Sequence, residues 1–248
     1  MSSRRAAIVL AAGKGKRMKS DLPKVLHKIG DKPMITIILD TLGRCNLDKI
    51  VVVIGHEGEM VKDALTEYPI DFVWQRQQLG TGHAVDQARP VLEDFRGITL
   101  VAAGDVPFLS QESIEKLFRL HEAERAAATC LSAILDDPTG YGRIIREPNS
   151  NLMRRIVEHK DASEEERQVN EINSGTFCFD NQALFEALRH VSNDNAQGEY
   201  YLTDTIQILR QGGQRTAVTP ADDPDELHGV NSVEQLVELE KRFADRLG

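Results

Sequence analysis

The first half of the chain alternates short, mostly apolar runs with segments that have helical spacing. Runs of strand length lie at residues 6–10, 50–54, 71–74 and 98–102. Apolar side chains three or four positions apart lie between them, and one helix is predicted to begin at Pro33. Buried strands separated by helices are typical of a parallel sheet covered on both faces. The alternation therefore predicts an open, mostly parallel twisted α/β sheet, which binds ligands at the carboxyl ends of its strands.

The pattern becomes more mixed along the second half. Two predicted helices at residues 82–91 and 110–127 complete the alternation that begins in the first half. Beyond them, strands are predicted at residues 129–135, 143–146 and 176–179, separated by turn-rich stretches. We therefore expect a smaller mixed β region to follow the parallel sheet.

The last helix is predicted to begin at Ser232, because Gln235 three positions later completes the pattern of a capping box. Its predicted buried face contains Val233, Leu236, Val237 and Phe243. No hydrophobic linker or internal repeat divides the sequence, and no hexapeptide periodicity is present.

Composition narrows the class of protein. Apolar residues make up 41% and charged residues 28% of the 248 residues, as in ordinary folded proteins. No apolar run reaches the ~18–20 residues needed to span a bilayer, so no membrane partner is expected. Cys45, Cys130 and Cys178 are too few and too far apart for a zinc cluster or a disulfide framework. This cysteine content favours a cytoplasmic location.

Charge is distributed unevenly along the chain. Thirty basic and 39 acidic side chains give a net charge of −9, which argues against a general nucleic-acid surface. Residues 14–28 nevertheless contain a single acid, Asp21, and a cluster of basic side chains: Lys14, Lys16, Arg17, Lys19, Lys24 and Lys28. A concentrated basic segment in an acidic protein predicts a binding site for a small polyanion.

The basic segment begins with a glycine-containing loop directly after the first predicted strand. Small residues such as Gly13 and Gly15 let backbone N–H groups approach phosphate oxygens. Met18 stands where a dinucleotide fingerprint needs its third glycine and where a P-loop needs its Gly-Lys-Ser/Thr element. Both of these motifs are therefore excluded. A tight turn with a solvated basic face remains the alternative to a phosphate site.

A set of short motifs follows in order along the chain. They are LAAGKGKRM, LPKVLHKIGDKPM, QLGTGHA, GDVP, DDPTGYGRI, IVEHKDA, EINSG, NDNAQGEYYLTD and GVN. Together they resemble the sugar-1-phosphate nucleotidyltransferases, and most closely the uridylyltransferase half of bacterial N-acetylglucosamine-1-phosphate uridyltransferases. The resemblance extends over about residues 5 to 231, which is nearly the whole chain.

The resemblance implies a particular reaction and fold. A uridylyl group would pass from UTP to N-acetylglucosamine-1-phosphate, with Mg²⁺ as cofactor, giving UDP-N-acetylglucosamine, a cell-envelope precursor, and pyrophosphate. The implied fold is the Rossmann-like nucleotide-diphospho-sugar transferase type, with a smaller mixed β region for the sugar. Residues 1–231 would form the nucleotidyltransferase domain and residues 232–248 a C-terminal helix. The sequence leaves the oligomeric state open.

Cations and metal ligands are the catalytic groups that this reaction needs. The sugar-phosphate nucleophile is already an anion, so positioning and charge neutralisation replace a general base. Arg17 and Lys24 are candidates for the charge on the leaving pyrophosphate. Asp105 follows a predicted strand at its carboxyl end, where a carboxylate suits Mg²⁺. The resemblance makes Asn231 the second metal ligand, with helix or turn capping as the alternative for both Asp105 and Asn231.

The resemblance also assigns binding residues. The nucleotide would be bound by Leu10, Ala11, Ala12, Gly13, Lys24, Gln75, Gly80 and Thr81. Within this set, Gln75, Gly80 and Thr81 match family positions that read the uracil edge, and they define the candidate uracil segment. The further substrate-binding residues would be Ala103, Gly104, Asp105, Gly142, Glu158, Asn173, Thr203 and Asn231. Four of them match positions that line the sugar pocket of the family: Gly142, Glu158, Asn173 and Thr203. Thr81 has the alternative role of a helix cap, and Tyr201 is a weaker candidate that fits a core position equally well.

Two departures from the family pattern affect substrates and domains. Ala103 stands where family members carry a tyrosine, so a related hexose-1-phosphate or another triphosphate remains an alternative substrate. The hexapeptide repeats of the family's acetyltransferase β-helix are missing, so acetyltransferase activity is not expected. A non-catalytic sugar-nucleotide sensor is the alternative from another class, and it would bind nucleotide without turnover. A nicotinamide-dependent oxidoreductase is excluded by the missing third glycine.

Overall fold

The computed structural model describes residues 3–243. Its strands, numbered in chain order, are β1 (Arg5–Ala11), β2 (Lys28–Ile29), β3 (Lys32–Pro33), β4 (Lys49–Ile54), β5 (Asp71–Trp74), β6 (Ile98–Ala103), β7 (Ala128–Ile134), β8 (Arg143–Arg146), β9 (Met153–Val157), β10 (Glu171–Asp180) and β11 (Thr216–Pro220). Its α-helices are α1 (Met34–Leu42), α2 (Gly58–Ala64), α3 (Thr81–Asp86), α4 (Arg89–Leu92), α5 (Gln111–Glu124), α6 (Glu164–Arg167), α7 (Asn181–Leu188), α8 (Asp204–Gln211) and α9 (Val233–Arg242). Short 3₁₀ helices lie at Lys16–Met18, Lys24–Leu26 and Pro224–Leu227.

Nine strands form one sheet in the order β11-β7-β10-β6-β1-β4-β5, with β8 paired to β10 and β9 paired to β8. Strands β6, β1, β4 and β5 run parallel to one another, and β11 runs parallel to β7. Strand β10 is antiparallel to both of its main neighbours, β6 and β7. The predicted open, mostly parallel α/β sheet with a smaller mixed β region is therefore confirmed.

Apolar cores cover both faces of this sheet, which explains the continuous apolar strands. Ala7 and Val9 of β1 pack in a core with residues of α1 and α5. Ala6 and Ile8 point to the opposite face, where a second core includes residues of α3, α7 and α8. Because neighbouring side chains on a strand point to opposite faces, nearly every position of such a strand is apolar.

The helix predicted over residues 82–91 is two helices, α3 and α4, separated around Gln87. The physical cause is Pro90, which lacks an N–H and whose ring would clash with the carbonyl group of Asp86 in a continuous helix. The prediction of a single helix was therefore wrong. None of the helices within residues 3–243 has the length and apolar character needed to cross a bilayer.

The start of α9 differs from the predicted capping box. Ser232 Oγ accepts a hydrogen bond from the Gln235 N–H at 3.3 Å, as predicted. The return bond is made elsewhere, because Gln235 Oε1 accepts from the N–H of Asn231 at 2.8 Å. Gln235 thus fixes the backbone of Asn231, and only the Ser232 half of the capping box forms.

The buried face of α9 was also predicted wrongly in part. Val233 and Val237 are each 44% exposed, whereas Leu239 and Phe243 are buried. The Phe243 ring stacks on Phe108 with their centroids 4.1 Å apart. This contact rotates α9 so that both valines face outward. Residues 244–248 of the predicted helix lie outside the described residues.

Cys45, Cys130 and Cys178 are all free and buried.

Candidate active site

Three polar side chains from distant parts of the chain meet beyond the carboxyl ends of β1 and β6. Lys24 Nζ donates hydrogen bonds to Asp105 Oδ2 and, at 3.1 Å, to Asn231 Oδ1. The Lys24 and Asp105 side chains are only 16% and 15% exposed. The backbone reinforces this arrangement, because Val230 donates its N–H to the Asp105 carbonyl oxygen at 2.9 Å. One predicted catalytic cation and both predicted metal ligands therefore lie together.

The Asp105 and Asn231 side chains fit a hydrated magnesium ion. Their oxygen atoms hydrogen-bond to the same Lys24 ammonium group, so both oxygens face one small space. Carboxylate and amide oxygens suit Mg²⁺, which usually keeps several waters and takes the rest of its ligands from substrate phosphates. Residues 3–243 contain no group of three or more His, Cys, Asp or Glu side chains arranged to hold a metal. A partly protein-bound ion is therefore the kind of metal site that this pair can form.

The glycine-containing loop packs directly against Lys24. Gly15 adopts a φ of +56°, and a Cβ atom added there would lie 2.9 Å from the Lys24 Cβ. Gly13 is exposed, and beyond it Arg17 is exposed and forms no hydrogen bond or ion pair with the described residues. Of the two predicted catalytic cations, the structure brings Lys24 to Asp105 and leaves Arg17 at the surface.

The end of β1 and the residues after β6 are held side by side. Gly104 donates its N–H to the Leu10 carbonyl oxygen at 2.9 Å, and Ala103 pairs with Leu10 in the sheet. Ala11 and Ala12 are buried at the strand end. The nucleotide candidates on β1 therefore lie beside Ala103 and Gly104, two of the candidate substrate-binding residues.

The candidate uracil segment is fixed by a buried glutamine. Gln75 is 4% exposed, and its Nε2 donates to the Gly80 carbonyl oxygen and to His83 Nδ1, each at 3.0 Å. Thr81 Oγ1 accepts from the Leu202 N–H at 3.1 Å and does not cap helix α3. The alternative role of Thr81 as a helix cap is therefore wrong, and its hydroxyl instead ties this segment to the chain before α8.

The four candidate sugar residues are also linked to one another. Glu158 Oε1 accepts a hydrogen bond from the Thr203 hydroxyl at 3.1 Å. A Cβ atom added to Gly142 would lie 3.3 Å from Glu158 Oε2, and the Gly142 carbonyl oxygen accepts from the Asn173 N–H at 2.9 Å. Burial raises the pKa of Glu158, although the hydrogen bond from Thr203 opposes the rise.

Asn173 is oriented by an irregularity in β10. The pairing of β10 with β7 shifts register between Asn173 and Thr176. Asn173 Oδ1 accepts from the Gly175 N–H at 2.9 Å across this irregularity. Register shifts of this kind re-aim side chains at the edges of sites.

Sequence reasoning did not single out Arg143, although it belongs to the DDPTGYGRI motif. Arg143 is 1% exposed and donates to the Tyr141 carbonyl oxygen and, at 3.4 Å, to His159 Nδ1. Its Nε has no hydrogen-bond partner among the described residues. Gly142 directly follows Tyr141, and Glu158 directly precedes His159. The Arg143 guanidinium therefore braces both of the segments that contain these candidate residues.

Residues 7–201 match the MobA-like NTP transferase domain. The chain belongs to this family. The resemblance to nucleotidyltransferases that the motifs predict is thereby confirmed, and the site described above lies in and just after a MobA-like NTP transferase domain.

Relatives of this MobA-like domain include larger proteins. The chain is 49% identical to the bifunctional protein GlmU of Halalkalibacterium halodurans over 245 residues, which are 99% of this chain and 53% of the relative. It is also 49% identical to the bifunctional protein GlmU of Bacillus subtilis, over 98% of this chain and 53% of the relative. The chain thus spans about half the length of these relatives.

Solved structures show the same fold at lower identity. A UDP-glucose pyrophosphorylase complexed with UDP-glucose aligns with a TM-score of 0.76 and 17% identity, covering 98% of this chain and 99% of that structure. The apo form of a UDP-glucose pyrophosphorylase aligns with a TM-score of 0.78 and 16% identity, covering 99% and 100%. The predicted nucleotide-sugar transferase fold is confirmed by these likenesses.

Proposed function

We propose that this chain is a Mg²⁺-dependent uridylyltransferase that converts UTP and N-acetylglucosamine-1-phosphate into UDP-N-acetylglucosamine and pyrophosphate. The observation that carries the proposal is the meeting of Lys24, Asp105 and Asn231 beside the glycine-containing loop. Nucleotidyl transfer needs a cation and cation ligands placed together where a polyphosphate binds. The 49% identity to bifunctional GlmU proteins supports the choice of substrates.

The proposed roles at the phosphates follow from charge. Asp105 and Asn231 would hold Mg²⁺, which when bound supplies positive charge to phosphate oxygens. Backbone N–H groups around Gly13 would contact the triphosphate, while the Lys24 ammonium would neutralise charge on the leaving pyrophosphate. Arg17 is exposed at the loop, where its planar guanidinium can form bidentate bonds to a bound phosphate. No side chain needs to remove a proton, because the attacking phosphate oxygen is already ionised.

The proposed binding of the two organic groups follows the two linked segments described above. The residues at the end of β1 and the segment with Gln75, Gly80 and Thr81 would bind the nucleotide, and the uracil would lie against the second of these. Glu158 and Thr203 would bind sugar hydroxyls together with Gly142 and Asn173, because sugars require converging donors and acceptors. We further propose that residues 1–231 form one catalytic domain followed by the C-terminal helix, and that the enzyme works in the cytoplasm.

The decisive experiment is a substrate panel with measured release of pyrophosphate. We expect release from UTP with N-acetylglucosamine-1-phosphate in the presence of Mg²⁺, and little release when EDTA is added. Glucose-1-phosphate and other triphosphates belong in the panel because Ala103 departs from the family pattern. Release only with another pair of substrates would change the proposed substrates, and nucleotide binding without any release would support the sensor alternative.

A matched pair of variants completes this test. Asp105→Asn should lower turnover by roughly 10²–10³-fold, comparable to the loss of one preorganised electrostatic group. Asp63→Asn removes the same charge from an exposed position on α2 and should leave turnover unchanged. Equal activity of the two variants would contradict the role of Asp105.

A further inference from the structure

We propose that Lys24 is an internal counter-ion that holds the Asp105–Asn231 oxygen pair in the resting protein and competes with a divalent cation for it. This inference rests on the proposed function in one respect, because it takes Asp105 and Asn231 as the ligands of the divalent cation. The competition itself is a property of the free protein and concerns binding, separately from turnover.

Lys24 and a divalent cation would use the same two oxygen atoms. The Lys24 ammonium hydrogen-bonds to both oxygens, and the contact with Asn231 Oδ1 measures 3.1 Å. A divalent cation coordinated by the same two oxygens would occupy the space between them, beside the present position of Nζ. Two positive charges this close repel strongly in a partly buried site. Lysine and metal therefore cannot both hold the pair.

An ion pair balances the charge of the resting site. Asp105 is 15% exposed, and Lys24 is its ion-pair partner. A carboxylate so largely removed from water is costly unless it is paired, and the ammonium provides that partner without any ligand. Lys24 thus compensates the metal-binding carboxylate while no metal is bound.

The Lys24 side chain is fixed at its base and free to move at its end. Gly15 packs on the Cβ atom of Lys24, which fixes the base of the side chain against the loop. The ammonium lies at the end of a flexible four-carbon stem and can change position while the backbone stays in place. The loop that supports Lys24 is also the predicted phosphate site, so bound phosphates can draw the ammonium away from Asp105. Nucleotide and divalent cation should therefore each strengthen the binding of the other.

The test is a measurement of Mn²⁺ affinity for the nucleotide-free protein, with the free ion monitored by EPR. Lys24→Met removes the competing ammonium, so the affinity for Mn²⁺ should rise by about tenfold or more, as expected for the loss of a close like charge. Lys28→Met removes one charge from an exposed position in the same basic segment and should change the affinity by less than about twofold. Lys24→Gln serves as a second substitution, and circular dichroism confirms that each variant is folded.

The Asp105→Asn substitution separates the possible outcomes. If the gain appears in Lys24→Met and disappears in the double variant with Asp105→Asn, the competition is supported. If Asp105→Asn weakens Mn²⁺ binding but Lys24→Met and Lys24→Gln bind no better than the unmodified protein, the counter-ion role is overturned and the ligand pair stands. If Asp105→Asn leaves binding unchanged in both backgrounds, the metal pair of the proposed function fails, and the inference fails with it.

Discussion

The carbonyl oxygen of Tyr200 accepts a hydrogen bond from the backbone N–H of Gly82 at 2.8 Å. Tyr200 also donates its own N–H to the Leu79 carbonyl oxygen at 2.8 Å. These two bonds join the candidate uracil segment to the segment that contains Thr203, more than one hundred residues later. A disturbance at this junction should therefore reach both substrates.

Gly80→Ala is the first test of that junction. Gly80 has a φ of +115°, and an added Cβ atom would lie 2.6 Å from the Tyr200 carbonyl oxygen. We expect KM to rise for both UTP and the sugar-phosphate, by about tenfold, because the two segments must separate. Gly213→Ala is the control, since its φ is +75° but no atom lies within 4 Å of the added Cβ. Equal effects of the two substitutions on KM would contradict the coupling.

Arg143→Met tests the brace behind the sugar residues. The guanidinium bonds to the Tyr141 carbonyl oxygen and His159 Nδ1, so its loss should loosen Gly142 and Glu158. We expect KM for the sugar-phosphate to rise about five- to tenfold, with KM for UTP nearly unchanged. Arg143→Lys should not restore the lower KM, because an ammonium lacks the planar fork. A uniform loss of stability with both KM values unchanged would reduce Arg143 to a packing role.

The pH dependence of sugar-phosphate use should report on Glu158. Burial raises its pKa, so on acidification this carboxylate gains a proton at a higher pH than an exposed glutamate does. The protonated form loses an acceptor for sugar hydroxyls, and kcat/KM for the sugar-phosphate should therefore fall on the acidic side. Thr203→Val removes the hydrogen bond that lowers this pKa, so the fall should begin at a higher pH. The acidic limb should disappear in Glu158→Gln, and an unchanged limb in both variants would exclude Glu158 as its origin.

The stability of the fold should depend on His121. Burial lowers the pKa of His121 to about 4, and its ring nitrogen Nδ1 lies 2.9 Å from Thr129 Oγ1. The unfolded chain takes up this proton near pH 6.5 while the folded protein stays neutral, so the free energy of unfolding falls between about pH 6.5 and 4. The loss should amount to at most about 3 kcal/mol. Urea unfolding should show a flatter pH profile for His121→Gln, whereas the exposed control His56→Gln should keep the original slope.

Local sequence patterns predicted the place of Asp105 at the edge of the sheet, but they did not predict its contact with Lys24. Asp105 follows an apolar run, so its place at the edge of the sheet follows from topology. The hydrogen bonds of Lys24 reach Asp105 and Asn231 across 81 and 207 positions of sequence, and no local pattern encodes such distances. The basic segment indicated a polyanion site but did not distinguish the inward-facing Lys24 from the exposed Arg17.

Strands β9 and β11 and the orientation of helix α9 were not predicted, because contacts with distant parts of the chain determine them. Strand β9 has the sequence MRRIV, with two exposed arginines, and it forms because it pairs with β8. Strand β11 is fixed by its pairing with β7. The orientation of α9 depends on the stacking of Phe243 on Phe108, which the spacing of Val233 and Val237 could not reveal.

The antiparallel strand β10 lies between the parallel strands β6, β1, β4 and β5 and the rest of the sheet. Its residues Phe177–Asp180 pair with β6 and Ile172 pairs with β8, while pairing with β7 runs along both stretches of the strand. Within the described residues, the β8–β9 hairpin joins the sheet by its pairing with β10 and is not paired with the parallel strands β6, β1, β4 and β5. A duplicated gene could acquire a new acceptor by drift in the hairpin while selection preserved its ancestral choice of nucleotide.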